Sequence, residues 1–212
     1  MLGDLSKLYE VGYYGYSGTI STGWGDAGGK SYGLYQLSST AGSVRRFINW
    51  LGNVYTEYYY RLIQYTIGSD EFDNEWEEIA DEDDEGFSQL QHDYIKALYY
   101  DEAVELLREN YFNIENHSEI MKDVVWSRAV QYGTGYIVEM FTDAVEIMGY
   151  PNLSYVDDKW FDDRLIKHIY LDICMTEEWT GGSPDLREGL YSRFRSECDD
   201  ALAMLEEEKR YW

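Results

Sequence analysis

Residues 18–51 read GTISTGWGDAGGKSYGLYQLSSTAGSVRRFINWL, and the change of pattern inside this stretch decides the fold. Its first half is rich in glycine and in Ser, Thr, Tyr and Trp, which suits short extended segments and turns. Thr19 to Trp24 and Ser31 to Leu37 are predicted as two short extended segments around a Gly-rich loop, a small hairpin. From Ser43 the period becomes 3.6: Val44, Phe47, Ile48 and Leu51 recur at i, i+3, i+4 and i+7. Ten of the 19 glycines lie in residues 1–42, and only Pro151 and Pro184 interrupt the 212 residues as prolines, so the remainder is expected to be helical.

Working outward, Asp4 is expected to cap a short helix carrying Leu5, Leu8 and Tyr9, which the glycines after Glu10 end. Downstream, helices are predicted over roughly 54–66, 70–80, 86–98, 101–110, 117–132, 135–148, 159–175 and 184–207, with Ser183–Pro184 as the cap and first turn of the last. In that helix Leu186, Leu190, Phe194, Cys198, Leu202 and Leu205 recur every three or four residues, so the Cys198 thiol is expected in a buried stripe. Residues 70–85 hold eleven acids and no Lys or Arg, while Phe72, Trp76, Ile79 and Ala80 keep a helical apolar period. The expectation is a solvated helix face running into an acidic turn, because DEDDEG does not meet the order of a calcium loop. No repeat or Pro/Gly/Ser-rich linker divides the chain, which is expected to form one domain over 1–212, with a hairpin-containing part at 1–42 and a helical part at 43–212. The fold class expected is mainly α, with a small β-hairpin (α+β).

Composition narrows the function. With 17 Lys plus Arg against 41 Asp plus Glu, the formal net charge is −24, which repels nucleic-acid phosphates and anionic lipid. No nucleic-acid or membrane partner is therefore expected, and the start of the chain lacks a secretory signal pattern. Two cysteines and three histidines, without a CxxC or HExxH motif, give no reason to expect a metal or other cofactor.

Glu10 and Asp26 are the candidate catalytic pair. A carboxyl at a helix C-terminus among aromatic neighbours is disfavoured as an anion by the helix dipole and by desolvation, which suits Glu10 to donate a proton. Asp26 lies in Gly25-Asp26-Ala27-Gly28-Gly29, where backbone N–H groups can approach and keep it ionised to activate water. Two carboxyl groups in opposed environments form the pattern used to hydrolyse glycosidic bonds.

The strings LSKLYE at 5–10 and GTISTGWGDAGGKSYGLYQLSS at 18–39 resemble the chitosanase-like domains of the lysozyme superfamily found in phage tail-associated lysins and related bacterial cell-wall hydrolases. The resemblance continues in QHDYIKA at 91–97, DVVWSRAVQYG at 123–133, MGYPNLSYV at 148–156 and TEEWTGGSPDLREGLYSRF at 176–194. It implies a lysozyme-like helical fold with the hairpin beside the cleft, and hydrolysis of a β-1,4-linked amino-sugar polymer, peptidoglycan first and chitosan second. By the same resemblance Glu10 is the general acid and Asp26 the general base of an inverting mechanism, and Ser31 holds the attacking water. Tyr32, Gln36 and Gln131 are implied sugar contacts, though Tyr32 equally suits a cap on the hairpin and Gln131 a partner for buried backbone. Delivery would be on a phage virion or tail, or otherwise outside the cell.

One segment supports a different function. Val11 to Gly18 contains GYYGYSG, and Tyr, Gly and Ser are the residues with which binding loops present rigid amphipathic surface. Tyr13, Tyr14 and Tyr16 are thus candidate contacts to a protein partner, on a scaffold with weak or no catalysis. The run Tyr58-Tyr59-Tyr60 with Tyr55 would add to that surface wherever its rings are not core.

Overall fold

A computed structural model of the chain describes residues 2, 3, 5, 15–21, 29–181 and 184–212, with backbone alone at 184–186. The chain divides into two compact units, Val11–Ala97 and Met1–Glu10 with Leu98–Trp212.

The Val11–Ala97 unit begins with a three-stranded antiparallel sheet, β1 (Ile20–Ser21), β2 (Ser31–Tyr32) and β3 (Leu37–Ser38), in the order β1-β2-β3. Ile20 pairs with Tyr32 and Ser21 with Ser31, and then Ser31 pairs with Ser38 and Tyr32 with Leu37. The single extended segment expected over 31–37 is therefore two strands around a turn at 33–36. Gly33 makes that turn possible. Its φ is 73°, and a Cβ there would stand 2.2 Å from the Gln91 side-chain oxygen, so backbone conformation and space both require glycine.

Among the described residues of this unit four α-helices follow: α1 (Ser43–Val54), α2 (Thr56–Leu62), α3 (Asp70–Glu82) and α4 (Asp84–Ile95). Val44, Phe47, Ile48 and Leu51 are all buried in α1, as are Phe72, Trp76, Ile79 and Ala80 in α3. Ser69 caps α3 by accepting from the Phe72 N–H at 3.2 Å, and Asp83 caps α4 through the Gly86 N–H at 3.0 Å, each worth about 1 kcal/mol. The core is aromatic. Trp76 meets Tyr32, Phe47 and Phe87 edge-to-face at 5.3, 5.8 and 4.8 Å. Of the tyrosine run, Tyr58 is buried and donates to Asp83 at 3.0 Å, whereas Tyr60 is exposed.

The acidic run is not simply a solvated face. Asp73 accepts from Tyr32 Oη and Lys30 Nζ, Glu75 and Glu82 pair with Arg61, Asp81 accepts from Tyr16 Oη, and Asp84 accepts from the N–H and hydroxyl of Ser17. These carboxylates tie the sheet and the segment before it to α3 and α4.

In the other unit the described helices from Leu98 onward include α5 (Asp101–Glu109), α6 (Glu119–Tyr132), α7 (Ile137–Ile147), α8 (Asp162–Lys167), α9 (Glu177–Thr180) and α10 (Pro184–Glu208). The helix expected over 159–175 is composite, passing from a 3-10 turn at Lys159–Phe161 through α8 to a π-helical stretch at His168–Ile173. A similar π-turn, Lys96–Tyr100, follows α4. Pro184 opens α10 as predicted, and its Ser183 cap lies outside the described residues. Residues 123–129 of α6 are buried without a break, so the helix has no solvent face over nearly two turns. Its Ser118 cap accepts from the Met121 N–H at 3.0 Å, and Ser118 in turn donates to the buried Asp162. Phe194, Cys198, Ala201 and Leu205 form the buried stripe of α10, with the Cys198 thiol fully enclosed, as expected. The fold is mainly α with one small antiparallel sheet.

Candidate functional site

Glu10 and Asp26, the candidate catalytic carboxyls, lie outside the described residues, as do Tyr13 and Tyr14 and the expected cap Asp4. What the structure does describe is the framework on either side of them in sequence. Ahead of Glu10, the Asp123 carboxylate of α6 accepts from the Gly3 N–H at 2.6 Å and the Leu5 N–H at 3.2 Å, and Leu5 is helical and fully buried. A side-chain carboxylate on the first N–H groups of a helix stabilises its start by satisfying orphan donors and by favourable charge–dipole interaction.

Ahead of Asp26, the last part of the tyrosine-rich segment is pinned. Ser17 is fully buried: its carbonyl accepts from Trp76 Nε1 and Gln91 Nε2, both at 3.0 Å, and its hydroxyl donates to Asp84 at 2.6 Å. Tyr16 is 37% exposed, yet its hydroxyl donates to Asp81 and lies 3.3 Å from the Glu77 carbonyl. Burial and then the Asp81 bond push that hydroxyl up to about 12. Tyr16 is thus held by α3 through its hydroxyl, with part of its ring left exposed.

After Asp26 the sheet carries the next candidates. Ser31 is half-buried in β2, paired on both sides by Ser21 and Ser38. Tyr32 follows it, but its ring is wholly buried against Phe72 and Trp76 and its hydroxyl donates to Asp73 at 2.5 Å. Burial and Asp73 both raise its pKa above the usual tyrosine value. Tyr32 therefore offers no surface to a sugar in this structure; it fixes the hairpin to α3. Gln36 sits in the turn with φ 49° and donates from Nε2 to the Gly33 carbonyl at 3.1 Å, which stabilises the turn it belongs to. Gln91 closes the same turn by accepting from the Leu34 N–H at 2.8 Å.

Gln131 belongs to the other unit, at the C-terminal end of α6. Its Oε1 is buried and has no hydrogen-bond partner among the described residues, so the carbonyl does not serve buried backbone there. One turn earlier, Arg128 is fully buried and paired with Glu197 at 2.5 Å. Ser127 donates to the same carboxylate at 2.8 Å, and the guanidinium lies 4.5 Å from the Tyr170 ring centre. The attraction between these groups offsets the cost of burying them and fixes α6 against α10.

Sequence reasoning missed Asp73, Asp81, Asp84, Ser17 and Gln91 as the groups that hold the hairpin. A signal was present, since Asp73, Glu77 and Asp81 recur every four residues on α3 and so share one face. Among the described residues no group of three His, Cys, Asp or Glu side chains converges to hold a metal, and no helix is long and apolar enough to cross a membrane.

Comparison with known proteins places this framework. A family model described as type VI secretion system spike protein VgrG3-like, C-terminal, matches residues 2–198. The type VI secretion system spike protein VgrG3 of Vibrio cholerae serotype O1 is 37% identical over 132 residues, which is 62% of this chain but only 12% of that protein. Among solved structures, a GH46 chitosanase of Gynuella sunshinyii in complex with chitotetraose superposes with a TM-score of 0.59, covering 96% of this chain and 85% of that one. At 16% identity the likeness is one of fold, and it agrees with the lysozyme-like helical class expected. The phage-tail setting implied by resemblance is not supported, because the matched family is that of a secretion spike. The chain belongs to the VgrG3-like C-terminal family of type VI secretion system spike proteins.

Proposed function

We propose that the chain is a glycoside hydrolase that cleaves a β-1,4-linked amino-sugar polymer, peptidoglycan in the first instance, after delivery on a secretion spike. The observation that carries this reading is that one family match spans Glu10, Asp26 and Ser31, in a chain whose fold resembles a chitosanase over nearly its whole length. Glu10 protonates the leaving-group oxygen, and Asp26 removes a proton from a water that attacks the anomeric carbon from the opposite face. Ser31 holds that water. An inverting mechanism of this kind needs the two carboxyls about 6.5–9.5 Å apart, against about 5–5.5 Å for retention. Within its own unit, Asp73 fixes the hairpin that follows Asp26 in sequence, and within the other, Asp123 holds the Gly3 and Leu5 N–H groups ahead of Glu10.

The experiment is reducing-sugar release from purified peptidoglycan and, in parallel, from chitosan. Release from peptidoglycan is the expected result, and release from chitosan alone would reassign the substrate. No release from either, by a folded chain, would refute the reading and favour a protein partner at Tyr13 and Tyr14.

A further inference from the structure

A cavity of about 380 Å³ opens in the unit that carries α6, lined by Tyr132, Tyr136, Glu139, Glu178 and Trp179. Its volume lies at the lower end of small-molecule sites, about 300–1,000 Å³. Three separate elements build it: the end of α6, the turn running into the first turn of α7, and α9. Trp179 is the corner. Tyr132 and Tyr136 stand nearly perpendicular to the indole, with centroids 5.3 and 5.9 Å away and interplanar angles of 87° and 84°. Aromatic walls at right angles enclose a small group from more than one side.

The charges are one-sided. Glu139 and Glu178 both line the cavity, no basic side chain among the described residues does, and neither glutamate has an ion pair with a described residue. The neighbouring Glu177 by contrast is paired with Arg187 at 2.5 Å. Two carboxylates without an ion pair among the described residues, beside the rings of Trp179, Tyr136 and Tyr132, the last also lying 5.7 Å from the buried Arg128 guanidinium, accept hydrogen bonds from an N⁺–H group and favour a cation at the Trp179 and Tyr136 side of the cavity. The overall charge of −24 acts in the same sense.

We propose that this cavity binds a primary ammonium group, with the carboxylates of Glu139 and Glu178 accepting its hydrogen bonds and Trp179, Tyr132 and Tyr136 packing against the carbon frame that bears it. Two wall components carry this chemistry, a de-N-acetylated glucosaminyl residue and the side-chain amine of a diamino acid in a stem peptide. The binding chemistry is independent of Glu10 and Asp26; only the choice of a wall polymer as the source of the ammonium rests on the proposed function.

The test follows the indole N–H resonance of Trp179, assigned with Trp179→Phe, in the 212-residue chain titrated with methyl glucosaminide, its N-acetylated counterpart and a lysine derivative blocked at both backbone ends. At least one amine probe is expected to shift the resonance saturably, and the N-acetylated sugar to bind about tenfold more weakly or not at all. Both glutamates are exposed, so Glu139→Gln with Glu178→Gln leaves the fold intact and is expected to weaken the amine at least about tenfold. A response to the glucosaminide alone identifies the glycan as the source, and a response to the lysine derivative alone identifies the stem peptide. No shift with either amine, equal binding of the N-acetylated sugar, or unchanged affinity in the double variant would overturn the proposal. Hydrolysis measured separately keeps the two readings distinct, because loss of polymer cleavage with the Trp179 response intact contradicts the catalytic reading alone.

Discussion

Among the described residues Asp73 is the carboxylate that joins the hairpin to α3, and the cost of Asp73→Ala follows from the two bonds it breaks. Tyr32 Oη and Lys30 Nζ both donate to Asp73 at 2.5 Å. Tyr32 is fully buried, so its hydroxyl left without an acceptor costs about 1–3 kcal/mol. The Lys30 and Asp73 side chains are 28% and 18% exposed, and Lys30 keeps the Gly68 carbonyl at 2.9 Å, so losing that ion pair adds only about 0–1 kcal/mol. The expected destabilisation is about 1–4 kcal/mol, most of it through Tyr32. Urea unfolding followed by circular dichroism and tryptophan emission measures it, since Trp76 packs on the Tyr32 ring. With m of about 1–3 kcal/mol/M, the midpoint falls on the order of 1 M. Lys30→Met is expected to cost less than about 1 kcal/mol, and Tyr32→Phe placed on Asp73→Ala to recover part of the loss. An Asp73→Ala midpoint within about 0.2 M of the parent, or a Lys30→Met loss as large, would refute this assignment.

Glu197→Ala leaves the Arg128 guanidinium buried beside a lost partner and is expected to cost about 3–5 kcal/mol in the same assay, whereas Arg128→Met with Glu197→Leu should come much closer to the parent. Burial, with the nearby Asp199 charge, pushes the Cys198 thiol from 9.0 up to about 11. The folded state therefore holds the proton more tightly, so this contribution is complete below pH 9.0 and is lost as pH rises towards about 11, a fall that Cys198→Ala should flatten in urea midpoints taken across that range. Native chain at pH 8 should resist thiol reagents at both cysteines, each buried, and release two thiols on unfolding. Hydrolysis should show a bell-shaped pH profile, its acidic limb set by the base and its alkaline limb by the acid, and a flat profile from pH 4 to 8 would contradict the two roles. Moderate salt should raise activity on an anionic wall by screening a charge of −24.

Helices with one apolar face were legible from their spacing. The four residues named in α1 and the four in α3 are those buried, because a single face packed on one core imposes a 3.6 period on the sequence. The opposite holds for α6. It is buried all round, and Arg128 meets its partner Glu197 from 69 positions away, so no local period announces either fact. The π-helical stretches at Lys96–Tyr100 and His168–Ile173 insert a residue into the helical repeat without any composition signal. In the hairpin, the alternation of Ser31 to Leu37 hid a turn that Gly33 alone marked. Tyr32 and Gln36 illustrate the limit of reading a site from its string: tyrosine and glutamine suit a sugar or a turn equally well, and the contacts of Tyr32 with Phe72 and of Gln36 with the Gly33 carbonyl are not announced by the residues around them. The acids of α3 were legible as a charged face, but their partners come from residues 16–32 and 61, which the run itself does not reveal.

The most direct test of the central claim compares the 212-residue chain with Glu10→Gln and with Asp26→Asn for reducing-sugar release from the responsive polymer, at matched folding by circular dichroism. Both replacements are close in size and remove only the ability to donate or accept the catalytic proton. Loss of at least about a hundredfold in kcat for each, the usual scale of general acid or base catalysis, is the predicted result. Undiminished release by either variant would contradict the two-carboxylate account.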